Sequence, residues 1–395
     1  MRRLVAILGL AFVTAVVGAG CAEMRQFLGI TPTTYEVWIP DQGYDKILVY
    51  SVTEGDGTVN ISKSGEVALA PAGPQPTVSP HILLFGPGYK RAYVAGVRAG
   101  GIFVVDADKR SVITRIPTGR TAHAATPSWD GSRIWVANVG DNNIVEVMAS
   151  GDNYSKGRTI TTDPRPSCAF WSRDDSKFWV VTGGPANAPP DRAGTITEVD
   201  AKSGRVTKVI QPIGRDGCAV VPSHDERWLY GSSPTQFTVA DAKTGQIVKK
   251  IQPSGKDGHG FMPTPDGKYI LLAVRQGDAV DVLDAQTHQR LRTVPVGSRP
   301  DLFDVSPSGR YAFISLRGKP VTGDPHALAG TESGFAVLDT QTWKVVAKVR
   351  AEGRTRTSMA SPPGPAASGT GTGRASPHAL HPPLSPLVGG GERGG

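Results

Sequence analysis

One segment type recurs five times along this chain, and that periodicity constrains the fold more than any other feature. The pattern V-x-D-A-x-[ST]-G-x-V-x-x-x-I-x-x-G is met as VVDADKRSVITRIPTG ending at Gly119 and as VDAKSGRVTKVIQPIG ending at Gly214. It returns as VADAKTGQIVKKIQPSG to Gly255, VLDAQTHQRLRTVPVG to Gly297 and VLDTQTWKVVAKVRAEG to Gly353. Each copy holds two alternating apolar runs around a polar turn such as Lys202-Ser203-Gly204, the pattern of a β-hairpin with one buried face. A second hairpin precedes each of these, with turns such as Trp129-Asp130-Gly131, Asp174-Asp175-Ser176, Pro265-Asp266-Gly267 and Pro307-Ser308-Gly309. A four-stranded unit repeating every ~40–50 residues is the unit of a β-propeller blade, and neighbouring units bury the faces that one alone leaves open. No stretch keeps a helical period, so the expected class is all-β.

Aligning the copies on the strand after the second turn places the start of each innermost strand at His81, His123, Ser167, Cys218, His259 and Asp301. Residues 34–70 add three strands, in YEVWIPDQ, in KILVYSV and near Val67-Ala68-Leu69, with no inner strand before them. The expectation is therefore a seven-bladed propeller over residues 34–353, its last blade closed by the N-terminal strands. A seventh inner strand is due near residue 355, but after Gly353 the hydrophobic pattern gives way to Pro-, Gly- and Ser-rich sequence over residues 354–395. Such a composition has no packable face. It is expected to be a disordered tail or an out-of-frame reading, since one of the possible encodings of Thr355 to Ser361, read one base earlier after a G, gives Asp-Pro-His-Val-His-Gly-Val. Genomic DNA of the locus distinguishes the two.

The first residues point to export. Met1-Arg2-Arg3 is a positive n-region, and Leu4 to Val17 is an apolar run too short to span a bilayer comfortably. Gly18-Ala19-Gly20-Cys21 resembles the bacterial lipobox, which implies a signal peptide over 1–21, a lipid on Cys21 and a tether over 22–33. Gly18 stands where that motif prefers Leu, and an ordinary signal peptide cut near Ala22 is the alternative. Ala22 after the Cys, by the same resemblance, implies the periplasmic side of the outer membrane. Net charge is +8, but the Lys and Arg residues are scattered singly along the repeats. A nucleic-acid binder gathers them on one face among aromatics, so no nucleic-acid partner is expected.

The copies PSWDGSRIWVANVGDNNIVEV and PTPDGKYILLAVRQGDAVDVLDAQTHQRLRTVPVG resemble the YVTN-type propeller repeat, over roughly residues 34–353. Val147-Met148 stands where the repeat usually has Asp, and Asp174-Asp175-Ser176 replaces Asp-Gly. The resemblance implies the fold. Its relatives include binding proteins, lactonase-like enzymes and the haem d1 propeller of nitrite reductases, and kinship of fold does not transfer chemistry.

In a propeller the loops entering the inner strands open on one face, together with the loops joining each blade's two middle strands. The six strand-start residues are expected to ring that channel mouth. Two middle-strand loops are enlarged, residues 183–193 and 317–333, the second carrying His326. His81, His123, Ser167, Cys218, His259, Asp301 and His326 are thus the candidate ligand-binding residues, and His81, His123 and His259 a possible ligand set for a transition metal or a haem. The structural alternative is that these side chains bond the backbone of neighbouring loops. Asp106, Asp200, Asp241, Asp284 and Asp339, at one repeat position, are expected to hold turns. Trp129, Trp135, Trp171, Trp179 and Trp228 are expected between blades. Cys168 and Cys218 are expected to be unpaired. No C-x-x-C-H, G-x-S-x-G or H-E-x-x-H occurs. The leading reading is a non-catalytic, membrane-tethered propeller binding a protein or small ligand at its mouth; the alternatives are a haem d1- or metal-dependent redox or assembly protein, and a lactonase-like hydrolase.

Overall fold

The run KFWVVT shows why these strands stack as they do. Phe178 and Val180 enter the apolar cluster shared with the preceding blade, and Trp179 and Val181 the cluster shared with the following one. Successive side chains of a strand point to opposite faces. A continuous apolar run therefore suits a strand covered on both sides, which is the situation of every middle strand in a ring of sheets. The strand Gly101–Asp106 is likewise buried throughout, whereas its outer neighbour Ser111–Pro117 exposes most of its residues. The hairpins expected to bury one face therefore differ strand by strand. The third strand is covered on both sides, and only the outermost is amphipathic.

The computed structural model describes residues 32–319 and 333–351, apart from residues 56, 72 and 74–76. Cys21, His326, the signal-like segment and the tail beyond residue 351 lie outside the described residues. Within them the fold is seven antiparallel sheets arranged as a β-propeller. Six sheets have four strands, and the sheet of Thr33–Asp41, Lys46–Gly55 and Thr58–Ala68 has three. The last of these strands starts well before the Val67–Leu69 stretch that signals it in the sequence.

Closure of the ring can be read from the core. Seven apolar clusters occupy the seven junctions between consecutive sheets. One packs Trp38, Ile47 and Val49 of the N-terminal sheet on Leu83 and Phe85 of the first four-stranded blade. Another packs Tyr35, Val37 and Ile39 of the same sheet on Tyr311, Phe313 and Val337 of the sixth. The N-terminal strands thus form the seventh blade between the two ends of the repeat array. Trp135, Trp171 and Trp179 are fully buried at junctions, with Trp129 and Trp228 at their margins.

The recurring aspartates cap turns. A carboxylate oxygen of Asp106, Asp200, Asp241, Asp284 and Asp339 accepts the backbone N–H three residues on, from Lys109, Ser203, Thr244, Thr287 and Thr342. Hydrogen bonds from these turn residues lower the pKa of Asp106, Asp200, Asp241 and Asp284 below the ordinary value, whereas at Asp339 burial opposes ionisation and the Arg310 guanidinium does most to lower it. Cys168 and Cys218 form no disulfide with each other.

Candidate functional site

Each inner strand is entered by the same local device. Two residues before each expected strand-start residue stands a residue with positive φ: Ser79 (48°), Thr121 (56°), Arg165 (62°), Asp216 (61°), Asp257 (67°) and Arg299 (55°). In five blades a register shift follows at once, at Pro80/Leu83, Ala122/Ala124, Pro166/Cys168, Gly258/Phe261 and Pro300/Phe303. A left-handed residue followed by a bulge turns the chain sharply into the sheet. The entry loops are then tied to the middle-strand loops of their own blades: Val97, Val139, Gly183, Arg275 and Arg317 donate their N–H groups to the carbonyls of Ser79, Thr121, Arg165, Asp257 and Arg299. The two loop sets therefore form one rigid face, as the strand order implied.

The fourth four-stranded blade breaks the rule. Its inner strand is only Val220–Pro222, and its entry loop is longer, with Cys218 ahead of the strand. Asp216 donates its N–H across the blade boundary to the Gly183 carbonyl. A cavity of about 580 Å³ is centred at this irregularity. It is lined from both loop sets, including His123, Arg165, Ser167, Asp216, Cys218, Lys256, Asp257, His259, Arg275 and Arg299.

Four of the expected ring residues line the cavity, and two do not. His81 is buried, its ring 4.2 Å from that of His123 between centroids. Asp301 is fully buried and accepts from Arg275 Nη1 at 3.1 Å. The uniform ring expected from the sequence is therefore divided, because neighbouring side chains cover two of its members.

Several ring residues join blades. His123 Nδ1 lies 2.8 Å from the Ser167 carbonyl, and Ser167 Oγ is 2.7 Å from the Gly217 carbonyl and 3.1 Å from that of Cys218. Each such bond runs from one blade's entry to the next, which is the structural role weighed for these positions. The three histidines do not converge on one point: His123 and His259 line the same cavity, but His81 and His123 contact each other, whereas His259 Nε2 is 3.4 Å from Asp301 Oδ1. Among the described residues no group of three or more His, Cys, Asp and Glu side chains could hold a metal ion. A single metal centre ligated by His81, His123 and His259 does not fit this arrangement.

The charged heart of the site is Arg275, which is 2% exposed. Its Nε and Nη2 donate to Asp257 at 2.9 and 3.0 Å, and its Nη1 to Asp301. Burial opposes the charge, but Asp301 and Asp257 outweigh it and raise the guanidinium pKa. Arg165 is also engaged, with Asp216 at 2.5 Å and with the carbonyls of Gly184 and Gly183. Cys168 is half-buried among inter-blade apolar residues, and desolvation pushes its thiol up to about 12. It is not poised as a nucleophile.

The charged residues of this face were missed in the sequence. A signal was present, since the position two before the ring residue is charged in four successive blades (Arg165, Asp216, Asp257 and Arg299).

Among solved structures, the chain is similar to hydrazine synthase of Kuenenia stuttgartiensis, with a TM-score of 0.58 and 17% sequence identity over 80% of this chain and 95% of that one. At that identity the likeness is one of fold. No protein-family model and no curated protein sequence matches the chain.

Proposed function

We propose that this chain is an exported, membrane-tethered propeller of the YVTN-type repeat family that binds a small ligand or protein partner at its channel mouth. The observation that supports the reading is the cavity at the irregular blade, concave and lined by converging polar groups on a rigid scaffold. A binding role is favoured over catalysis because the groups a hydrolase would use are engaged in joining blades. Ser167 Oγ meets two carbonyls, and His123 Nδ1 meets a third. Export and tethering rest on the Met1–Cys21 segment, whose lipobox-like end supports a lipid on Cys21 and a place on the periplasmic side of the outer membrane.

The test uses protein extracted from native membranes. Native mass spectrometry should reveal a bound species that is lost on substituting Gln276 or Thr235, which line the cavity. Cys21→Ala should release the protein from the membrane fraction. A Soret band or stoichiometric metal would replace the reading with a haem- or metal-dependent one. Hydrolysis of sugar lactones would replace it with an enzymatic one.

A further inference from the structure

We infer that the ligand of the mouth cavity is a small anion bearing carboxylate or phosphate oxygens, held by Arg299 and Lys256; this rests on the binding role proposed above. Four cationic side chains line the cavity, Arg165, Lys256, Arg275 and Arg299, against two carboxylates, Asp216 and Asp257. Arg275 is bound on its fork by Asp257 and on its remaining nitrogen by Asp301, and Arg165 is bound by Asp216. Those pairs use both lining carboxylates. Among the described residues Lys256 and Arg299 make no ion pair. Asp278 is near Arg299 but accepts its backbone N–H, at 2.9 Å, rather than its guanidinium.

Arg299 carries a second mark of an absent partner. Its Nε is sealed from solvent and meets no hydrogen-bond acceptor among the described residues. A buried donor without an acceptor is costly, and a charged one more so. An anion in the cavity that Arg299 lines offsets the charge of the guanidinium as a whole, although Nε itself lies out of its reach. A guanidinium presents a planar fork that matches the two oxygens of a carboxylate or phosphate, and an ammonium adds a point charge to the same anion. Lys256 and Arg299 stand on the entry loops of adjacent blades, one residue before and at the left-handed position respectively, so the fold holds their backbones in fixed relation. The partly enclosed site also strengthens their attraction for an anion relative to open water.

Citrate and inorganic phosphate are the probes, titrated calorimetrically into the full chain at constant ionic strength set with sodium chloride. At least one should bind, and Arg299→Gln should weaken it at least about tenfold, as expected for losing a charged hydrogen-bonded contact. Lys256→Gln should weaken it several-fold, Arg299→Lys should restore part of the loss, and Arg205→Gln, on an outer hairpin, should change nothing. Binding of citrate alone identifies a carboxylate ligand, and of phosphate alone a phosphorylated one. Failure of both probes to bind wild-type protein overturns the inference, as does unchanged binding in a folded Arg299→Gln variant. A neutral species found in the mouth of the native protein also overturns it, while leaving the binding role intact. Anion binding with no native ligand or partner would instead sink that role and leave the anion site standing.

Discussion

Replacing Arg275 by Met tests whether the mouth is organised around one buried cation. The substitution keeps the length of the stem and removes the guanidinium from between Asp257 and Asp301, which approach it at 2.9 and 3.1 Å. Asp301 is fully buried and Asp257 nearly so, with 10% of its side chain exposed. Removing one partner from a buried ion pair strands the other charge, at about 3–5 kcal/mol. With an unfolding entropy of about 2.1 cal/mol/K per residue over roughly 300 folded residues, that loss lowers Tm by about 5–8 °C. Differential scanning calorimetry measures it. Adding Asp257→Asn and Asp301→Asn to Arg275→Met should recover most of the loss, because no unpaired charge is then left. A loss below about 1 kcal/mol at neutral pH would show that the carboxylates find solvent or other partners, and the reasoning would fail.

Three other perturbations probe the scaffold. Asp41 is fully buried, and desolvation raises its carboxyl from 3.8 to about 6. The folded state thus favours the protonated form, so the carboxylate costs stability above about pH 6 and the cost vanishes below about pH 4. Asp41→Asn should therefore stabilise the protein by up to about 3 kcal/mol in urea melts at about pH 8, and by little at about pH 4; an equal effect at both would contradict the assignment. Gly194 has φ +76°, and a Cβ there would lie 2.1 Å from the Gly214 carbonyl oxygen. Gly194→Ala should lower stability by more than about 1 kcal/mol, and a neutral result would mean the neighbouring loop yields easily. Trp38, fully buried with its ring 5.3 Å from that of Phe85, joins the N-terminal sheet to the first four-stranded blade. Trp38→Ala should cost about 3–5 kcal/mol and expose amides of both flanking blades to hydrogen exchange; protection lost in the N-terminal sheet alone would argue against ring closure there.

Much of this architecture was legible because repetition makes each copy test the others. Asp106, Asp200, Asp241, Asp284 and Asp339 recur at one position, and each accepts the N–H three residues on. Such a contact is local, so spacing suffices to foresee it. The strand starts at His81, His123, Ser167, His259 and Asp301 were legible for the same reason, each standing second in its inner strand. Cys218 was found at the equivalent place by alignment, yet it precedes its strand. No periodic argument foresees that break, which depends on how one longer entry loop packs on its neighbours.

The character of the mouth was not legible. The alignment treats His81 and His259 as equivalents, but one lies against His123 and the other against Asp301 and Arg275. Which loop covers which side chain is fixed by contacts across blade boundaries, such as His81 with His123 and Arg275 with Asp301. The sequence by itself determined the blade unit, its strand order and where five of the six inner strands begin, since these follow from alternation, turn chemistry and period. Only the tertiary structure decided that two ring residues are sealed, that Arg275 is held between two carboxylates, and that the cavity opens at the blade whose inner strand is Val220–Pro222. Burial and ion pairing are properties of the closed ring, and no single repeat contains them.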